Sequence, residues 1–347
     1  MLTSRQKKVL LAVVRDYIKN GNPVGSKALA NQLPFQVSSA TIRNEMAYLE
    51  RKGLIKKTHS SSGRLPSING YRYYIDHLIS PNPVTKTDQE IIRHALNGHF
   101  HKIDEIVKQS ADILSNLTHY TALTLRPEQS KKRKLSGFRL VPLGNSEVMA
   151  ILVTDNGEIE NQVFHITSDV SGEQLEMIVR LINSHLKGEA ISTVLDQLKT
   201  QIPAEVSRYI RTPDGFLDTF YDVLNKAVRD RFYIGGELNL LNFTNSSDIG
   251  YLKPLYTLLN KTNNISNFIG DPNQPISVKI GSELSNDLLR HYSVITGTYN
   301  VGNYGKGLIA VLGPTRMPYS KIIGIVSAFR KDLAERLLGY FRNYYDQ

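Results

Sequence analysis

Ser38-Ser39, Thr41, Arg43, Asn44 and Arg51 fall within one fourteen-residue stretch. These side chains grip bases and phosphates rather than break covalent bonds. Asn pairs bidentately with adenine, Arg with guanine, and Thr can reach either. A helix that begins at the serines also presents free N–H groups to phosphate, so Ser38 and Ser39 are candidate backbone anchors. At about 100° per residue, Ile42, Met46 and Leu49 share one side of such a helix. Ala40, Asn44, Ala47 and Arg51 point the opposite way, with Thr41 and Arg43 on the flanks. Small residues at 40 and 47 permit close approach to a groove floor. An ordinary solvated helix face would look similar, so the surroundings must decide.

The surroundings read as a winged helix-turn-helix. Thr3 and Gln6 fit a capping box, and Val9, Leu10, Val13, Val14, Tyr17 and Ile18 recur at helical spacing until Gly21 and Pro23 interrupt them. Ser26 is expected to cap a short second helix with Leu29, Ala30 and Leu33 inward. Ser38 or Ser39 then caps a third, which runs to Lys52 and stops at Gly53. Residues 54–59, with Lys56 and Lys57, read as a strand, 60–63 as a tight turn, and 64–66 as the return strand. Arg64 is expected to extend from this wing toward a minor groove or phosphate; His59 reads as incidental. A fourth helix would pack Tyr71, Tyr74, Ile75 and Leu78. Thirteen of the 42 basic residues but only four of the 32 acidic ones lie in the first 80 positions. That head carries +9 against +1 for the remaining 267 residues. Such asymmetry is the footprint of a nucleic-acid-binding module.

Other chemistries find little support. There is no cysteine, which removes disulfides, thiolate metal sites and cysteine nucleophiles. The longest apolar runs, 9–14 and 148–153, are too short to span a bilayer. The N-terminus lacks a secretory h-region, so a soluble, cytoplasmic protein without membrane attachment is expected. His94, His99 and His101 with Asp104 scatter around a helix axis rather than converge on a metal. The glycine-rich 302–307 matches no nucleotide-binding fingerprint and reads as a turn between strands. No cofactor, metal or catalytic residue is assigned.

Beyond a boundary at Pro81-Asn82-Pro83, helices are expected at 87–96 and 101–119, the second with a long stripe from Ile103 to Leu117. The run 131–134 reads as a solvated basic loop. Strands are expected at 138–141, 148–154 and 158–166, with a turn at 155–157, followed by a helix capped by Ser171 and Gln174. Further strands fall at 277–280, 292–299 and 308–312, before a final helix opening near Pro318. Between these stretches the periodicity changes, with helical pieces near 192–201, 205–210 and 215–231 and short strands at 232–234 and 238–243. The expected class is α+β and multidomain. A DNA-binding head at 1–80 joins a body in two segments, 84–188 and 249–347, interrupted by an insertion at 189–248.

The chain resembles the bacterial heat-inducible transcription repressor family HrcA along essentially its whole length. The resemblance rests on residues 23–27 (PVGSK), 38–46 (SSATIRNEM), 63–66 (GRLP), 70–74 (GYRYY) and 313–317 (GPTRM) with Tyr319. Leu65 and Glu45 stand where Ile and often Asp would be expected. Membership implies a GAF-like body, with the insertion as a dimerisation domain. It implies a homodimer that binds an inverted repeat called CIRCE ahead of chaperone operons such as groE and dnaK, with GroE chaperonin keeping the repressor active. Dimerisation also follows from recognition physics: one helix reads few base pairs, and a two-fold pair of heads matches an inverted repeat. The alternative is a small-molecule-responsive winged-helix regulator with the GAF-like domain as sensor.

Overall fold

The structure, a computed structural model, describes residues 2–34, 36–57, 63–98, 100, 102–127, 134–155, 159–165, 171–208, 218, 221–222, 232–243, 254, 256–258 and 274–345. The wing tip at 58–62, His99, His101, Lys131 to Arg133 and most of 209–231 lie outside the described residues.

The head follows its local signals. Helix α1 (Ser4–Asn20) opens with the complete Thr3/Gln6 capping box and ends on Gly21 in the left-handed conformation. Helix α2 (Ser26–Gln32) is one residue out of the expected phase. Gly25 is its N-cap and Ser26 its first helical residue, without a side-chain cap. Helix α3 (Ser39–Arg51) is capped by Ser38, whose Oγ accepts from the Thr41 N–H at 3.1 Å. Ile42, Met46 and Leu49 are buried as their spacing requires. Strands β1 (Ile55–Lys57) and β2 (Arg64–Pro66) pair antiparallel, with Lys57 opposite Arg64 and Lys56 opposite Leu65. Helix α4 (Ile68–His77) is capped by Ser67 and buries Tyr71 and Tyr74. Gly70 sits against the Leu54 carbonyl, where any Cβ would collide with that backbone.

The chain divides into two compact units, 1–127 with 232–347, and 128–231. In the first, α5 (Lys86–Leu96) and α6 (Ile103–Thr118) precede β3 (Thr121–Leu125), a strand that the sequence reading missed. In the second, β4 (Leu135–Gly144), β5 (Glu147–Thr154) and β6 (Ile159–His165) form a separate antiparallel sheet, with α7 (Gly172–Leu186), α8 (Ile191–Thr200) and α9 (Ile202–Val206) against it. The chain returns to the first unit with β7 (Phe232–Gly235), β8 (Ile276–Ile280), β9 (Tyr292–Asn300), β10 (Lys306–Pro314) and α10 (Tyr319–Tyr345).

The five-stranded sheet runs in the order β7-β3-β10-β9-β8, every pair antiparallel. Both of its faces are buried. Ile295, Ile309 and Val311 pack with α5, α6 and α10, whereas Leu123, Val294, Leu308, Ala310 and Leu312 line a second core. Residues 302–304 form a 3-10 turn between β9 and β10, as expected for that glycine-rich stretch.

The compact units divide the chain at other points than the segments expected from sequence. Residues 128–188, assigned from sequence to the body, belong with 189–231 in the interrupting unit, and 232–248 does not belong to it. Asn183 of α7 explains why: its Oδ1 accepts from the Phe138 N–H at 2.9 Å and its Nδ2 donates to the Phe138 carbonyl at 2.8 Å. The Leu135 carbonyl accepts from Gly188 at 2.7 Å, and the Leu135 N–H donates to the Glu189 carbonyl at 2.9 Å. Strand β4 is therefore stitched to both ends of the α7–α8 connection. The strand expected at 238–243 is instead a 3-10 helix, 237–243. Nor do the prolines at 81 and 83 separate compact bodies, because the head core and the α5–α6–α10 core form one continuous cluster.

Candidate nucleic-acid interface

Cap chemistry and apolar spacing place α3 with one face inward and the other bare. Ala40, Arg43, Asn44, Ala47 and Arg51 are all exposed, while Thr41 is half-buried. Ser38 and Thr41 join at the helix start, Oγ to Oγ1 at 3.0 Å. Ser39, expected as an anchor, is the first helical residue and half-buried. Arg51 leans over the Tyr48 ring at 5.9 Å, which orients its guanidinium without neutralising it.

The four acidic residues of the head account for the distribution of free charge. Asp16 accepts from Asn20 and Gln32, each at 3.0 Å, tying α1 to α2. Glu45 accepts from Arg5 at 2.7 Å and from Gln6 at 3.1 Å, tying α3 to α1. Glu50 pairs with Arg64 and Asp76 with Arg72. Among the described residues Arg43, Arg51, Lys56 and Lys57 carry no ion pair, so their charge is available to a polyanion.

Two expected contacts change character. Arg64 does not extend from the wing. Its Nε and Nη2 lie 3.0 and 2.9 Å from Glu50 Oε2, and its side chain is only 13% exposed. Its backbone pairs with Val24, N–H to carbonyl in both directions at 2.7 and 2.9 Å. Arg64 thus fastens the wing to α3 and to the α1–α2 turn. Lys56 and Lys57, expected to act alike, are consecutive strand residues and point to opposite faces of the hairpin. Lys56 lines a cleft of about 700 Å³ with Tyr17, Tyr71, Arg290 and His291, while Lys57 stands beside Arg64 on the other face.

Sequence reasoning missed Glu45, Glu50 and Arg72 as organising residues. The scarcity of acids in so basic a segment was the available signal, since each carboxylate there is committed to a partner.

The comparisons agree with this geometry. A family model described as "Winged helix-turn-helix transcription repressor, HrcA DNA-binding" matches residues 1–75. A second, described as "HrcA protein C terminal domain", matches residues 104–323. Proteins named heat-inducible transcription repressor HrcA are 56% identical in Limosilactobacillus reuteri and 49% identical in Pediococcus pentosaceus, in both cases over 100% of each chain. A solved structure described as a hypothetical protein at 2.2 Å resolution matches with a TM-score of 0.59 and 22% identity, over 98% of this chain and 99% of that one. That last likeness is one of fold alone. No helix among the described residues is long and apolar enough to cross a membrane. With a bare, cationic α3 face on a winged helix and both family models matched in sequence order, the chain belongs to the HrcA family of heat-inducible transcription repressors.

Proposed function

We propose that this repressor acts as a cytoplasmic homodimer on an inverted repeat of the CIRCE type, ahead of chaperone operons such as groE and dnaK. In this reading each α3 enters a major groove with Arg43 and Asn44 on base edges. Thr41 and Arg51 flank them, and Ser38, Ser39 and Lys57 hold the backbone. The observation that carries it is the exposed face of α3, whose cations lack carboxylate partners while every acid of the head is engaged elsewhere. Lys56 contributes from the hairpin's other face, and Arg64 acts through the wing's shape.

The body is read as a GAF-like domain and the 128–231 unit as the dimerisation domain. Support for the second comes from its sheet. Strand β5 buries Ala150 and Leu152 on α7 and α8, with Val148 buried on the same side, and turns Met149, Ile151 and Val153 the other way. Across the registers Val141–Met149–Val163 and Val153–Ile159 continue that outer face, where Ile159 is 61% and Val163 44% exposed. A patch of this kind suits a second copy of the same surface. GroE chaperonin would act on the folded population of this dimer, sustaining repression until unfolded clients compete for it.

The test is a gel-shift titration of the full chain on an inverted-repeat duplex against a scrambled duplex of equal length. Tight, salt-sensitive binding to the first alone is expected; equal affinity for both would remove the sequence-specific reading. A small-effector reading rests only on the cleft beside Lys56, and the apolar core of the body is already explained by packing.

A further inference from the structure

Arg72 lies on α4, away from the α3 face, yet its guanidinium is turned into the body. Nε donates to Glu283 Oε1 at 2.9 Å, and Nη2 bonds the other oxygen of the same carboxylate. Nη2 also donates to the Val278 carbonyl at 2.6 Å. Glu283 is itself held, accepting from the Ile280 N–H at 2.9 Å. Around this fork the seam is closely fitted. Ile68 fills the space that a side chain on Gly281 would need, and the Tyr71 and Tyr319 rings meet at 5.8 Å. The Asn82 N–H donates to the Ser320 carbonyl at 3.0 Å, and Ser320 Oγ donates to Asn82 Oδ1 at 2.8 Å.

A rigid path leads from α3 to this fork. The Leu54 N–H donates to the Leu49 carbonyl at 2.9 Å, and the Ser67 N–H to the Leu54 carbonyl at 3.1 Å. Gly70 then seats α4 on the same Leu54 carbonyl. Apolar contact across the seam is non-directional and tolerates small rotations. A planar guanidinium bound to both carboxylate oxygens and to a carbonyl does not.

We propose that Arg72 is a positioning residue for operator recognition. With Glu283 and the Val278 carbonyl it sets the angle of α4, and so of α3, on the body, which makes a two-headed repressor selective for one half-site separation. The inference rests on the inverted-repeat reading above. It adds that separation is specified inside each protomer as well as by the contact between protomers.

Two measurements on the full chain test it, with Glu283→Gln and Arg72→Met as variants. The first is affinity for duplexes that carry identical half-sites with spacers varied one base pair at a time. Wild type is expected to show a sharp optimum. In the variants, affinity at that optimum falls about tenfold while the other spacings change little, so the profile flattens. The second uses the absence of native cysteine: nitroxide labels on cysteines placed at the exposed Ala28 and Lys321, diluted with unlabelled protein, report the distance from head to body. A narrow distribution in wild type should broaden in both variants. An unchanged width, or a uniform loss at every spacing, would overturn the proposal. If wild type prefers no inverted repeat, the inverted-repeat reading fails, and the label widths alone judge the clamp.

Discussion

Arg64 on the wing and Glu50 on α3 are joined by a hydrogen bond and an ion pair, Nε and Nη2 to the same Oε2 at 3.0 and 2.9 Å. That contact ties the return strand β2 to α3, and it commits the most buried of the candidate cations to shape. Removing it should affect DNA affinity through order rather than through charge. Arg64→Ala is expected to lower stability by about 1 kcal/mol and to leave the salt dependence of DNA affinity nearly as steep as in wild type. Lys57→Ala should instead reduce the slope of log affinity against log salt by about one. Filter-binding titrations at several salt concentrations separate the two, and a slope loss confined to Arg64→Ala would reverse these assignments.

Arg43→Ala and Asn44→Ala should each forfeit about 1–3 kcal/mol of discrimination between operator and scrambled duplex, with thermal stability unchanged because both side chains are exposed. Ser38→Ala is different in kind. It deletes the cap of α3, so a loss of about 1 kcal/mol in folding stability is expected beside any loss in binding. Calorimetry and competition binding on the same samples would distinguish the two patterns.

Tyr71 and Tyr299 form a matched pair for hydroxyl deletion. Both are buried, but the Tyr299 hydroxyl donates to the Leu125 carbonyl at 2.7 Å, whereas the Tyr71 hydroxyl has no hydrogen-bond partner among the described residues. Tyr299→Phe should destabilise by about 1–2 kcal/mol, since it takes a donor from the half-buried Leu125 carbonyl. Tyr71→Phe should be neutral or stabilising. Equal losses in chemical denaturation would mean that the Tyr71 hydroxyl is satisfied by solvent.

Burial raises the pKa of Tyr71, Tyr299 and Tyr319 well above the usual tyrosine range. In the folded chain these phenols stay protonated after their unfolded counterparts ionise. The stability they confer is intact below about pH 10 and is lost as pH climbs beyond it, at up to about 1.4 kcal/mol per group and pH unit. Base-induced unfolding should therefore release a late group of tyrosinates together with the loss of helix. With 18 Tyr and no Trp in the chain, ultraviolet absorbance reads this cleanly. A single titration near pH 10 with the fold intact would contradict it.

The outer face of β4–β6 gives the prediction for assembly. Val163→Lys places a charge opposite Met149, one strand removed from Val141 on the same outer face, without touching the inner core. It should shift the chain from dimer to monomer in sedimentation velocity while preserving the circular dichroism spectrum. A dimer that withstands both this change and deletion of 128–231 would place the interface in the other unit.

Local periodicity determined much of this protein in advance. The Thr3/Gln6 cap, the inward spacing of Ile42, Met46 and Leu49, and the hydrophilic opposite face of α3 are settled within a few residues of one another, so the sequence states them directly. The approximate positions of β4, β5 and β6 follow from alternation in the same way. Only the tertiary structure decided what depends on partners far along the chain. Strand β3 reads as an unremarkable Thr-Ala-Leu-Thr-Leu until Leu125 is set opposite Leu308. Residues 135–165 look like part of the body until Asn183 and Glu189 claim β4 for the other unit. Likewise Arg64 and Arg72 carry the same formal charge as Arg43, and folding alone gave each of the first two a carboxylate while leaving the third bare. Charge and periodicity are properties of a sequence, but whether a charge is available depends on which distant groups the fold brings within three ångströms of it.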